Sequence, residues 1–404
     1  MQRIPMIFLF VVLAVLGLIY GYVGLRIIPT LGLNTPWVIA LWVLIAVLAL
    51  LSLAGPVLRF NGVENRFTDF MSWIGYTSLG FFILTLTVVI TRDLGWGLWL
   101  GGTKILAWIT SLTGNETETT ITDPSKRQFV VTAMNLGLLT LTTSLSAYGY
   151  FQARRKPDVI EVDVPITNLP EGLDGFKIVQ ISDIHVGPTI KRDFVQQVTD
   201  QVNALKPDLV VLTGDLVDGS VSHLSNDVAP LINLRAPYGK FFITGNHEYY
   251  SGVEHWLQET ERIGFTNLVN EYRLVDVKGA KLTVAGVTDL EAGRILPKHA
   301  TDPQAALKGA PADSTKLLLA HQPNSIYSAE ELGVDLQLSG HTHGGQFKPF
   351  NLVVARAHSY LAGLYNHKGT WVYVNRGTGY WGPPLRIGIP NEITVIRLTR
   401  AKKS

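Results

Sequence analysis

Five short blocks of this 404-residue sequence carry side chains that bind divalent cations. They are Asp183-Ile184-His185, Gly214-Asp215, Gly245-Asn246-His247-Glu248, Ala320-His321 and Gly340-His341-Thr342-His343-Gly344. On an extended segment, residues two apart face the same way, so Asp183 and His185 can close on one ion. Asp215 has two carboxylate oxygens and can bridge two ions. Asn246 offers a neutral carbonyl oxygen, and His321, His341 and His343 offer ring nitrogens. Glycines beside Asp215, Asn246, His341 and His343 permit tight turns and close backbone approach. Alone, each block means little: Asp-x-His recurs by chance, and Gly-Asp is a common turn. Together they hold five of the ten histidines, each at or near the predicted end of a strand. His223, His255, His299, His358 and His367 lack that setting and read as surface or structural groups. There is no cysteine, which excludes disulfides, thiolate zinc sites and cysteine nucleophiles. The remaining donors suit hard or borderline ions: manganese, iron(II), zinc or nickel.

The elements that must position these blocks are strands alternating with helices. Residues 159–165 alternate apolar and polar side chains, the period of a half-buried strand. Short apolar runs at 176–181, 209–213, 241–244, 281–287, 316–319, 336–339, 372–374 and 393–398 read as further strands. Residues 192–205, 228–234 and 256–263 read as helices. Five of the strands run straight into the blocks above. Alternation of this kind implies an α/β layered fold, in which ligands gather at the carboxyl ends of strands.

In order and in local sequence, the blocks resemble the calcineurin-like metallophosphoesterase superfamily over roughly residues 158–400. The resemblance implies a four-layer α/β/β/α sandwich with two mixed sheets. It implies that a first metal takes Asp183, His185, Asp215 and His343, and a second Asp215, Asn246, His321 and His341. It makes His247 the catalytic histidine, which contacts the phosphate and protonates the leaving oxygen. Two divalent ions about 3.5–4 Å apart can clamp an in-line displacement at phosphorus and generate hydroxide at neutral pH. They also neutralise charge on the phosphoryl oxygens in the transition state. Two subfamilies are disfavoured. Purple acid phosphatases place a tyrosine ligand where Asp218 stands, and serine/threonine phosphatases carry Asp-Arg-Gly where this chain has Asp218-Gly219-Ser220. Residues 340–346 and 375–379 look like the membrane-associated bacterial branch, which includes phosphodiesterases and lipid-linked pyrophosphate hydrolases. Arg376 and Arg386 read equally as phosphate contacts or as surface charges. Tyr380-Trp381 reads as core packing or, less favoured, as a contact for acyl chains.

The first 157 residues are of another kind. They hold 11 Lys+Arg and 6 Asp+Glu, whereas residues 158–404 hold 23 and 26. Neither part has the dense basic stripe of a nucleic-acid binder. Residues 6–25, 36–58, 70–90 and 129–151 are uncharged apolar runs long enough to cross the roughly 30 Å hydrocarbon core as helices. A four-span anchor over 1–157 and a catalytic domain over 158–404 follow. Residues 94–112, with Trp96, Trp99 and Trp108 among glycines, read as interfacial, because Trp favours the membrane boundary. Gly17 and Gly21 have the spacing of a helix-packing pair. With four spans, Arg3, Arg59, Arg66, Arg154, Arg155 and Lys156 share one side, against Arg26, Arg92, Lys104, Lys126 and Arg127 on the other. The Arg154-Arg155-Lys156 cluster places the catalytic domain on the cytoplasmic face of a bacterial inner membrane. The same cluster favours anionic lipid.

The expectation is a membrane-anchored dinuclear phosphoesterase that cleaves a phosphodiester or pyrophosphate bond by attack of metal-bound hydroxide. The anchor makes a lipid-linked substrate an attractive choice. The rival from another class is a non-catalytic metal-dependent membrane sensor or scaffold. Retention of Asp215 and His247 argues against it. A transporter is disfavoured because no span carries a charge at its middle.

Overall fold

The computed structural model describes residues 6–112 and 124–401; Arg3 lies outside them. The chain divides into two units, one formed by residues 1–61 and 71–148, the other by 62–70 and 149–404.

The first unit is built on four helices: α1 (Met6–Ile27), α2 (Thr35–Phe60), α3 (Arg66–Leu112) and α4 (Pro124–Arg154). All four are long and apolar enough to cross a membrane. α1 gives way to a 3-10 turn with Pro29 at its start, which closes on Gly32 in the left-handed region. Pro36 then opens α2. Close helix approach depends on small residues. A Cβ at Gly75 of α3 would collide with the Leu51 carbonyl of α2, and one at Gly55 with Ser72. Gly17 and Gly21 have nothing within 4 Å and are not a packing pair among the described residues. Tyr20 stacks on Phe82 at 4.2 Å and bonds the hydroxyls of Ser52 and Ser78 at 2.7 and 2.9 Å. The reading of separate segments at 70–90 and 94–112 is corrected: α3 is one helix of 47 residues. At 1.5 Å per residue it is about 70 Å long. The charges at 92–93 suggested a break, but they are satisfied inside the unit. Asp93 accepts from Arg26 Nε and Tyr22 Oη, both at 2.7 Å, and from the Arg92 guanidinium.

The second unit holds two mixed six-stranded sheets. Its strands are β1 (Asp158–Ile166), β2 (Lys177–Ile181), β3 (Leu209–Leu212), β4 (Lys240–Phe242), β5 (Thr266–Asn267) and β6 (Glu271–Val277). They continue with β7 (Ala280–Gly286), β8 (Thr315–Leu319), β9 (Leu336–Ser339), β10 (Gly363–His367), β11 (Thr370–Val374) and β12 (Glu392–Arg400). One sheet has the order β1-β12-β2-β3-β4-β5, the other β10-β11-β9-β8-β7-β6. β2, β3, β4 and β5 run parallel, as do β7, β8, β9 and β11; antiparallel pairing occurs at β12–β2, β6–β7 and β10–β11.

Strand alternation sorts the side chains into layers. Ile178, Val211, Leu282, Val284, Leu317 and Leu319 fill the core between the sheets. Val179, Ile181, Val210 and Leu212 face the other way, onto helices α5 (Arg192–Ala204), α6 (Val221–Val228) and α8 (Val253–Arg262). Ala285 and Leu318 pack outward against Ala306 and Ala329. The result is the expected four-layer α/β/β/α sandwich. A short helix α7 (Asn246–Ser251) precedes α8. The expected helix at 228–234 is instead the end of α6 followed by a 3-10 turn. Beneath the carboxyl ends of the strands, Gln180 of β2 donates to the Ser339 carbonyl of β9 and to Thr213 Oγ1, both at 2.9 Å. This buried polar tie fixes one sheet against the other.

Candidate metal centre

The five blocks all lie where apolar strands end, and the fold brings them together. Asp183 and His185 follow β2, Asp215 follows β3, and Asn246 opens α7 after β4. His321 follows β8, and His341 and His343 follow β9. Five of the seven candidate ligands have left-handed backbone: Asp183, His185, Asp215, His341 and His343, with φ of 52°, 53°, 51°, 70° and 51°. Such backbone costs about 1–3 kcal/mol at each non-glycine residue and clusters at functional sites. The turns are also crowded. A Cβ at Gly245 would collide with the Asp215 carboxylate, and one at Gly340 with that of Asp183.

Three groups of ligand atoms converge, each within 4.8 Å: Asp183 with His185 and His343; Asp215 with His321 and His341; and His185 with Asp215 and His247. Ring nitrogens meet head to head, His185 Nε2 and His343 Nε2 at 3.1 Å and His341 Nδ1 and His321 Nε2 at 3.2 Å. His321 Nδ1 donates to the Thr213 carbonyl at 2.8 Å, which leaves its Nε2 turned toward Asp215 Oδ2 at 3.2 Å. Asn246 Oδ1 is buried with no hydrogen-bond partner. Paired imidazole nitrogens, buried carboxylates and an orphaned amide oxygen form a donor set that fits divalent cations. Burial opposes a charge on His321, yet Asp215 more than offsets this and holds its proton affinity well above the ordinary value. Protons and cations therefore compete for the same lone pair.

Asp218 has a role that the sequence reading missed. Its Oδ1 accepts from His185 Nδ1 at 3.0 Å and from His247 Nδ1 at 2.6 Å. One oxygen thus fixes the tautomer and tilt of both rings and leaves both Nε2 atoms facing inward. Burial disfavours the carboxylate, but His185 and His247 hold it far below the usual range. The signal was its place three residues after Asp215. From sequence alone that place marks only the absence of a tyrosine or an Asp-Arg-Gly motif.

Three further residues act behind the ligands. Glu248 is fully buried and accepts from the backbone N–H of Asp215, Leu216 and Gly245 at 3.0, 2.8 and 2.7 Å. Burial, then the Asp215 charge, raise it to about 7. Glu248→Gln puts an NH2 against backbone donors and strands at least one of them. An unmet buried donor costs about 1–3 kcal/mol. The expected loss is about 1–3 kcal/mol, read as a fall in Tm of the detergent-solubilised chain; an unchanged Tm would refute it. Arg386 is not a surface charge. It is buried, and its guanidinium donates to the His343 carbonyl at 3.0 Å and to that of Gly379 at 2.5 Å. Arg376 pairs with Glu392. Among the histidines set aside earlier, His358 lies against the His341 ring at 5.1 Å, so it belongs beside the centre. His223 contacts Asp69, and His367 contacts Glu330. Tyr380 is core, whereas Trp381 is exposed.

Comparison with known proteins identifies the family. The calcineurin-like phosphoesterase family model matches residues 176–345, the stretch from β2 through the His343 turn. A zebrafish (Danio rerio) transmembrane protein with metallophosphoesterase domain is 39% identical over 271 residues, 65% of this chain and 62% of that protein. This chain therefore spans about three fifths of that relative. A Helicobacter pylori strain J99 metallophosphoesterase is 38% identical over 277 residues, 68% of this chain and 73% of its own length. The metallophosphoesterase YkuE of Bacillus subtilis is 34% identical over 285 residues, 68% of this chain and 97% of its own. On the strength of these matches, the chain belongs to the calcineurin-like phosphoesterase family.

Proposed function

We propose that this chain is a membrane-anchored, two-metal hydrolase of a phosphodiester or pyrophosphate bond, with a lipid-linked phosphate as a candidate substrate. Asp183, His185, Asp215 and His343 would hold one ion, and Asp215, Asn246, His321 and His341 the other. Two such ions would supply Lewis-acid stabilisation of the phosphoryl oxygens and an acidified water. The observation that carries the reading is that two of the three convergent groups share Asp215, one of them with His247, which Asp218 orients. His247 and His341 are half-buried, whereas Asp183, His185, Asp215, His321 and His343 are buried, so His247 lies on the open side of the cluster, as suits a group that meets substrate. Gly219 puts no arginine beside Asp218, which favours a diester or pyrophosphate over a dianionic monoester.

For location, we propose a bacterial inner membrane with the phosphoesterase unit on the cytoplasmic face. With four spans, the connection between α2 and α3 and the segment after α4 would share one face. Arg66, Arg154, Arg155 and Lys156 lie on it, the side that cytoplasmic Lys and Arg favour.

The test is stripped full-length protein reloaded with manganese, iron(II), zinc or nickel in turn. Each form is assayed on an aryl phosphodiester, an aryl phosphomonoester and a nucleoside diphosphate ester. Hydrolysis of the diester or pyrophosphate with at least one metal, abolished by chelation, is the expected result. Monoester turnover alone would sink the substrate class. Metal binding without turnover on any substrate would favour a sensor or scaffold.

A further inference from the structure

We propose that His358 is a substrate contact: its imidazole N–H donates to a phosphoryl oxygen of the bound ester, at the end of the ligand cluster away from His247. This rests on the phosphoesterase reading above and adds to the same site a residue that lies in none of the five sequence blocks.

His358 stands edge-on to His341, with ring centres 5.1 Å apart. His341 belongs to the convergent group with Asp215 and His321, whereas His247 belongs to the group with His185 and Asp215. His341 and His247 are the half-buried members of those groups, and His358 is half-buried too. The three imidazoles therefore border the open side of the cluster, with His358 beyond its His341 end. His358 itself is in none of the convergent groups, so it is not placed to hold an ion. Nor does it hold anything else. Its Nδ1 is buried without a hydrogen-bond partner, and among the described residues nothing pairs with its Nε2 either. A half-buried imidazole without a partner forfeits hydrogen-bond energy that a ligand can restore. With Nδ1 sealed in, Nε2 is the nitrogen that can meet one.

The segment that carries His358 is fastened to the metal-ligand turn. The residue follows a seven-residue helix, Asn351–Ala357, that buries none of its side chains. No core holds such a helix, but its two ends are pinned. The Asn351 N–H donates to the Phe347 carbonyl at 3.2 Å, and a Cβ at Gly345 would collide with Asn351. On the other side, Thr342 Oγ1 donates to the Leu361 carbonyl at 2.6 Å. Thr342 stands between His341 and His343, so the anchor is the turn that carries two candidate ligands. The chain leaves the helix extended at His358, with φ −128° and ψ 131°. Ser359 Oγ then accepts from Tyr327 Oη at 2.7 Å, and Tyr360 Oη pairs with His367 Nδ1 at 2.7 Å. Each of the three residues after His358 is thus tied down, while the His358 ring is left unpaired beside the cluster.

Arginine is the usual partner of a phosphoryl oxygen. Here Arg376 is paired with Glu392, and Arg386 donates to the carbonyls of His343 and Gly379. Gly219 offers no side chain. A phosphoryl oxygen at the His341 end of the cluster has the His358 N–H as its donor instead. A hydrogen bond made equally to bound substrate and to the transition state sets KM rather than kcat.

The test uses full-length, metal-loaded protein in detergent. His358→Ala is expected to weaken inorganic phosphate in calorimetry and to raise KM for an aryl phosphodiester, each about tenfold or more, with kcat within about threefold and metal content unchanged. His358→Gln keeps an N–H at the reach of Nε2 and should recover most of the loss. His358→Phe keeps a ring without an N–H and should not. Recovery with phenylalanine but not glutamine would mean that the ring only packs against His341, and would overturn the inference. So would an unchanged phosphate affinity in His358→Ala, or the loss of a metal from it. Wild-type protein that binds metal but no phosphate would sink the phosphoesterase reading and this inference together, whereas wild-type binding unmoved by His358→Ala sinks this inference alone.

Discussion

Asp215→Asn is expected to lower turnover by at least about 10³-fold and to release bound metal from both positions. Asp215 Oδ2 lies 3.2 Å from His321 Nε2, 3.7 Å from His185 Nε2 and 4.0 Å from His247 Nε2. It lies in two of the three convergent groups, and its Oδ1 is already taken by the His247 backbone N–H at 3.0 Å. Burial alone would favour a neutral acid, yet His321 and His247 hold it far below the usual carboxylate range, so it is charged at neutral pH. The amide keeps the shape and removes the charge. It also turns a donor toward imidazole nitrogens that converge there. Each proposed metal position would thereby lose a charged ligand, and loss of several kcal/mol of charge stabilisation corresponds to the stated rate factor. The measurement is metal per chain by mass spectrometry beside turnover. Two metals retained with turnover within about tenfold would mean that Asp215 is not the bridge.

The contrast between what could and could not be read ahead lies in the range of the interactions. Candidate ligands were legible because each follows a buried apolar strand, and an Asp or His at the end of such a run has no place in the core. The apolar helices were legible from composition alone. β6 and β10 were not, because both are edge strands with one partner and half-exposed, polar faces. The continuity of α3 was hidden because Arg92 and Asp93 look like a boundary until Arg26 and Tyr22, about seventy residues earlier, are seen to meet Asp93. Asp218 illustrates the limit most clearly. Its function needs the loops after β2 and β3 side by side, joined where Val186 pairs with Val217 and where Asp218 N–H bonds the Val186 carbonyl at 2.8 Å. That is tertiary information, and no local pattern encodes it. Arg386 is similar: from sequence it reads equally as a phosphate contact or a surface charge, and its burial against the His343 turn is visible only in the fold.

His247 and Asp218 together give the other large effect, and here the size of the loss depends on the leaving group. His247 is buried, which opposes its charge, but Asp215 and Asp218 more than offset this and raise it to about 9. The ring therefore carries its proton at neutral pH and can present it at Nε2, with Nδ1 spent on Asp218. A positioned acid contributes typically about 10²–10⁴-fold. His247→Ala should lose that factor on a diester with an alkyl leaving group, whose departing oxygen needs a proton. The loss should shrink on a p-nitrophenyl ester, whose phenolate departs unaided, while both metals remain bound. Asp218→Asn should cost about 10–100-fold, because the amide still fills the space but holds both rings less firmly. Unlike His247→Ala, it should also weaken metal retention, since the same oxygen orients His185. The distinguishing outcome is the metal count of His247→Ala. His247 sits within reach of His185 and Asp215, as a ligand would. If its removal lost one metal per chain and slowed both esters equally, His247 would be a ligand and the proton donor would have to be sought elsewhere.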